Sequence, residues 1–137
     1  MKKLVRYFFI LLILFACNKE QVLLEEIKGT WKIDGFSITD NEGLRYEGLA
    51  DGQLTINSSE NKYLFQLNYQ TFLVSNTYNY NGDFSLINNN ESLQLNHLKS
   101  TNETYTFEFK LKYASKDYLK IEYWDESYRL NTLLFKR

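Results

Sequence analysis

One histidine, His97, and one cysteine, Cys17, set the outer limit on the chemistry open to this chain. Cys/His metal sites need several ligands at set spacings, and one of each cannot supply them. His97 falls in phase with Leu93 and Leu95, so a strand there would turn it toward an interior, where a satisfied or strand-end histidine is the ordinary outcome. The adjacent carboxylates Asp125-Glu126 and Glu25-Glu26 are poorly suited to acid–base work, because neighbours on a strand point to opposite faces and cannot share a substrate. No nucleophile, base and orienting group stand in register, so neither catalysis nor a metal or cofactor is expected. The side chains with most to offer are aromatic. Tyrosine joins an apolar ring to a polar tip, and Tyr63, Phe65, Tyr69, Phe72, Tyr105, Phe107, Phe109 and Tyr123 are the candidate ligand-binding set, suited to one small apolar or amphipathic molecule if the fold gathers them.

These rings sit on segments of period two. Tyr105, Phe107, Phe109, Leu111 and Tyr113 alternate with Thr104, Thr106, Glu108, Lys110 and Lys112, the pattern of a half-buried strand. It recurs in Leu54 and Ile56, in Tyr63, Phe65, Leu67 and Tyr69, in Phe72, Val74 and Tyr78, in Phe84 and Leu86, in Leu93 and Leu95, and in Leu119, Ile121 and Tyr123. Turn residues fall between the runs at Asp51-Gly52, Ser58 to Asn61, Asn81-Gly82, Asn88 to Asn90, Ser115 to Asp117 and Asp125 to Ser127. The tripeptides Asn57-Ser58-Ser59, Asn90-Glu91-Ser92 and Asn102-Glu103-Thr104 match the N-glycosylation pattern and are most simply turns. Gln21 to Lys28 suits a short helix with Leu23, Leu24 and Ile27 on one side and Gly29 placed to end it.

Eight to ten short strands joined by tight turns predict an all-β fold, an up-and-down antiparallel β-barrel, because closure removes the edges that an open sheet leaves exposed. A two-sheet sandwich is the alternative. Consecutive hairpins favour the barrel, since a Greek key needs longer connections. Eight strands lie at the boundary between a filled core and a cavity, so the aromatic interior is compatible with either.

The head of the chain carries Lys2, Lys3 and Arg6, then the unbroken apolar run from Tyr7 to Ala16, then Cys17 and the polar Asn18, Lys19, Glu20 and Gln21. These are the parts of a secretory signal, and the run falls well short of the roughly 20 residues of a spanning helix. A buried core helix, or a plain signal with an incidental cysteine, is the other reading. Leu14-Phe15-Ala16-Cys17 resembles the lipobox of bacterial lipoproteins, with Phe15 bulkier than the residue usual there. The resemblance implies a signal peptide at 1–16, lipidation of Cys17, an anchor and short tether at 17–21 and a domain at 22–137. It makes the membrane a partner through the acylated Cys17, at about 0.8 kcal/mol for each buried methylene. Asn18, in place of an aspartate, implies the outer membrane of the cell envelope.

Without Lys2, Lys3 and Arg6 the 16 basic residues become 13 against 17 acidic ones, a formal charge of −4. The remaining Lys and Arg are scattered among Asp and Glu, so nucleic acid is not an expected partner. A lone cysteine forms no internal disulfide, which leaves stability to an apolar core. Removing 16 residues from 137 leaves 121, enough for one domain, with no proline, long linker or repeat to divide it.

Gly29-Thr30-Trp31 follows the short helix and opens a strand containing Ile33, Phe36 and Ile38. It resembles the Gly-x-Trp signature of lipocalins. The phase shift between Ile33 and Phe36 puts Gly35 where an extra residue would kink a strand bent across a barrel. The resemblance implies that Trp31 plugs the closed end beneath the helix and that Arg129 is the arginine lying over it. Asp117-Tyr118 is similar to the end of the lipocalin Thr-Asp-Tyr motif, from which Lys116 departs. A small hydrophobic ligand in the barrel is then expected. The alternative is a non-catalytic accessory or inhibitor protein that meets an envelope protein partner, through a stretch such as Asn76 to Asn81, whose tyrosines beside asparagines suit recognition and whose bland counterpart is a polar hairpin tip.

Overall fold

A computed structural model describes residues 19–72, 74–100 and 103–137, the side chains of 98–100 and 103 excepted. Cys17 and the apolar run before it lie outside the described residues. A helix over 19–27 precedes eight strands: β1 (Gly29–Thr39), β2 (Arg45–Asn57), β3 (Lys62–Gln70), β4 (Ser75–Ile87), β5 (Ser92–Ser100), β6 (Glu103–Ala114), β7 (Tyr118–Trp124) and β8 (Leu130–Lys136). Each strand pairs antiparallel with the next, and β8 pairs with β1 to close the barrel. The fold is thus the up-and-down barrel and not the sandwich, and its strands number eight.

The count is eight because two predicted turns are strand interior. Gly52 and Gly82 lie within the 13-residue strands β2 and β4, where they answer backbone crowding rather than chain reversal. A Cβ on Gly52, whose φ is +144°, would stand 2.1 Å from the Gln66 carbonyl oxygen, and one on Gly82 would stand 1.9 Å from that of Asn96. Adjacent strands of a small barrel come this close only where a side chain is missing. The turns after β2 and β4 are where the sequence places them, with Asn61, Asn88, Asn89 and Asn90 at φ between 53° and 70°, a region that asparagine tolerates.

Three other expectations are corrected or refined by the register. Against β8, β1 shifts between Ile33 and Gly35, the kink expected from the change of phase. A bulge of the same kind in β6, between Leu111 and Tyr113, was not legible in the alternation. The extra residue reverses the phase, so Tyr113 is exposed while Ala114 packs on the core. Phe72 and Val74 begin no strand. They belong to the β3–β4 turn, in which the Thr71 amide donates to the Val74 carbonyl at 2.8 Å.

One end of the barrel is plugged. Trp31 is fully buried, and its Nε1 donates to the Ile27 carbonyl at 2.7 Å, tying the base of β1 to the helix. Ile27, Leu54, Leu119 and Phe135 are fully buried with it. The arginine over the indole is Arg137, whose guanidinium carbon lies 4.2 Å from the ring centroid. Arg129 cannot take that place. Because β8 runs antiparallel to β1, Lys32 faces Lys136 whereas Thr39 faces Leu130, so Arg129 stands at the opposite end of the barrel from Trp31.

Candidate functional site

Toward the end away from the helix, the partly buried Tyr78, Tyr80 and Phe107 pack against the core. There the barrel holds a cavity of about 300 Å³, lined by Tyr63, Phe65, Tyr78, Tyr80, Leu95, Phe107, Phe109 and Tyr123, with Asn76, Thr77 and the β7–β8 loop at its mouth. Cavities near the lower end of the roughly 300–1,000 Å³ range suit small ligands.

Its wall is a connected set of rings. Phe65 meets Phe109 edge-on at 5.1 Å, and Phe109 meets Tyr123 at 5.0 Å. Tyr80 lies 5.5 Å from Tyr78 and 5.1 Å from Phe107. His97, buried as its phase with Leu95 implies, stacks on Tyr80 at 4.3 Å and on Phe107 at 5.4 Å. Alternation puts each of these rings on the inner face, and their breadth holds the strands apart around the space between them.

Two of the lining tyrosines carry hydroxyls that are sealed from solvent and, among the described residues, without a partner. Tyr63 and Tyr123 are each 4% exposed, and neither hydroxyl has a hydrogen-bond partner among the described residues, nor does the buried Asn131 Oδ1. Burial pushes both phenol pKa values up, helped by Tyr80 beside Tyr63 and by Tyr78 beside Tyr123. Both hydroxyls therefore keep their protons at neutral pH and can donate or accept. A buried polar group without a partner costs about 1–3 kcal/mol.

The mouth is set by an ion pair. Asp125 Oδ1 accepts from the Ser127 and Arg129 amides at 2.9 and 3.0 Å, and its Oδ2 accepts from Arg129 Nε at 2.9 Å. Arg129 Nη2 lies 2.9 Å from the same Oδ2, with the Asp125 side chain only 5% exposed. Burial alone would raise the Asp125 pKa, but the amide and guanidinium of Arg129, with the Asn131 amide, overcome it and hold the carboxyl below its usual range. The loop is thereby fixed with Arg129 already paired.

Of the predicted aromatic set, the fold brings Tyr63, Phe65, Phe107, Phe109 and Tyr123 to the cavity. Tyr69 is buried beside it, 4.6 Å from Phe36 and 6.0 Å from Tyr78, and Tyr105 stacks on His97 at 5.6 Å. Phe72 does not join them: at the β3–β4 turn it is 93% exposed. The Asn76 to Asn81 stretch is not an exposed tip. It lies in β4, where Tyr78 and Tyr80 turn inward and Asn79 and Asn81 outward. Sequence reasoning put Tyr78 in an alternating run but neither tyrosine in the ligand-binding set, with Asn81-Gly82 read as a turn; continued through Gly82, the period of two links Tyr78 and Tyr80 to Phe84 and Leu86. Asp125 and Arg129 were read as a turn residue and a plug residue, with nothing to show that they meet.

Solved structures similar to this chain include a de novo designed fluorescence-activating β-barrel, 14% identical over 83% of this chain and 95% of that one with a TM-score of 0.40. Another is a redesigned β-barrel, 13% identical over 84% and 94% of the two chains with a TM-score of 0.41. No protein-family model matches the chain, and no curated protein matches it.

Proposed function

We propose that this chain is a non-catalytic binding protein that holds one small amphipathic molecule in the aromatic cavity of its barrel and is anchored at the bacterial outer membrane through the acylated Cys17. The observation that carries the binding reading is the cavity itself, about 300 Å³, walled by aromatic rings and bordered by Asn76, Thr77 and the β7–β8 loop. A concave, mostly apolar space with a small number of polar side chains among its lining residues is the usual form of a ligand site. The lipocalin-like shape supports the same reading, with one end plugged by Trp31 and the helix and the other opening beneath the β7–β8 loop. The anchor rests on the lipobox resemblance. Because the helix at 19–27 follows Cys17 closely and caps the plugged end, a short tether would turn the mouth away from the bilayer.

Native mass spectrometry of the mature chain, before and after exposure to an envelope extract, tests this. The expected result is a discrete added mass that Tyr123→Ala removes. A clean unliganded mass would overturn the cavity reading and favour a protein-binding role on the outer surface, where Leu49, Phe72, Trp124 and Tyr128 are exposed.

A further inference from the structure

We infer that the molecule this cavity selects carries a protonated amine, an inference that rests on the cavity-binding reading above and names its ligand class. Seven aromatic rings line the site: Tyr63, Phe65, Tyr78, Tyr80, Phe107, Phe109 and Tyr123. An aromatic face is negative at its centre and attracts a cation within about 6 Å, by roughly 0.5–1 kcal/mol when exposed and about 2 when desolvated. The charges at the mouth point the same way. Asp125 and Glu126 stand against the single cation Arg129 among the lining residues, a balance of one negative charge. Arg129 presents both Nε and Nη2 to Asp125, so an entering carboxylate would lose its hydration without meeting an uncommitted cation, the costly case for a charge.

A neutral alcohol of the same shape would meet the same rings and forgo the cation's attraction to them and to Glu126. The cavity volume, about 300 Å³, limits the body to something near one ring with a short chain.

The closed barrel and its plug lie within residues 19–137, so the mature chain beginning at Asn18 serves for the test. Calorimetric titration with phenethylammonium, 2-phenylethanol and 3-phenylpropionate compares one shape at three charges. The ammonium is expected to bind about tenfold tighter than either of the others. Glu126→Gln, a change at an exposed rim position, should weaken the ammonium about threefold and leave the alcohol unchanged. Equal affinity for the three probes, or tightest binding of the carboxylate, overturns the amine inference while leaving cavity binding intact. Failure of all three alongside a discrete adduct from the envelope extract does the same; failure of all three with no adduct removes both readings.

Discussion

Arg137 joins the two ends of the fold's wiring to Trp31. Its guanidinium covers the indole at 4.2 Å, while its Nη2 donates to the Glu26 and Lys28 carbonyls at 2.6 and 2.8 Å. Those carbonyls sit at the end of the helix, where intrahelical donors run out. One side chain thus closes the plug from above and caps the helix that forms it.

Arg137→Ala should therefore lower stability by about 1–2 kcal/mol, the order of one stacked cation and two charge-assisted hydrogen bonds at a solvent-exposed side chain. Arg137→Lys should recover less than half, because an ammonium lacks the planar fork that stacks and donates at once. Urea denaturation followed by tryptophan fluorescence measures both.

The barrel's corners predict a steep glycine contrast. Gly82→Ala and Gly52→Ala drive a Cβ to about 2 Å from a backbone carbonyl oxygen, so each should cost more than about 3 kcal/mol or prevent folding. At Gly43 nothing lies within 4 Å of an added Cβ and only the φ of +83° opposes it, so Gly43→Ala should cost about 1 kcal/mol. Comparative unfolding midpoints of the three variants decide the matter.

Asp125 should contribute to acid sensitivity. Its folded pKa is held below the unfolded value of about 3.9, so its stabilisation is present above that value and is lost as pH falls through the folded one. Asp125→Asn should be less stable than the parent at pH 7, and its melting temperature should decline less steeply between about pH 4 and pH 2. Thermal melts across that range, parent against variant, read the difference in slope directly.

Membrane attachment has its own test. The parent chain expressed in a bacterium with lipoprotein processing should pellet with membranes, and Cys17→Ser should be released to the soluble fraction. A serine variant that still pelleted would show that the anchor reading is wrong.

The barrel was legible because closure of a small antiparallel sheet writes itself into local pattern. Each strand alternates, as in Tyr63, Phe65, Leu67 and Tyr69, and asparagine clusters such as Asn88 to Asn90 mark reversals at positive φ. The cavity was partly legible for the same reason: the inner face of β6 supplies Phe107 and Phe109 wherever β6 lies. The sequence failed where one residue type serves two purposes. Asn81-Gly82 has the composition of a hairpin turn, yet Gly82 is required by the approach of the Asn96 carbonyl, a neighbour 14 positions away that no local window contains.

By itself, then, the sequence determined the period of two, the buried Trp31, the inward His97 and the kink near Gly35, and favoured the barrel over the sandwich, because each follows from side-chain alternation, volume and backbone freedom within a few residues. The tertiary structure alone decided that Arg137 and not Arg129 covers the indole, that Phe72 points into solvent, that Tyr113 leaves the inner face, and that Tyr78 and Tyr80 share a cavity with Tyr63 and Tyr123. Those outcomes depend on strand direction, on a bulge that reverses phase, and on which distant backbone comes close. Such relations are set by pairing across the barrel, where residues far apart in the chain become neighbours and one inserted residue changes the face that the later side chains of its strand present.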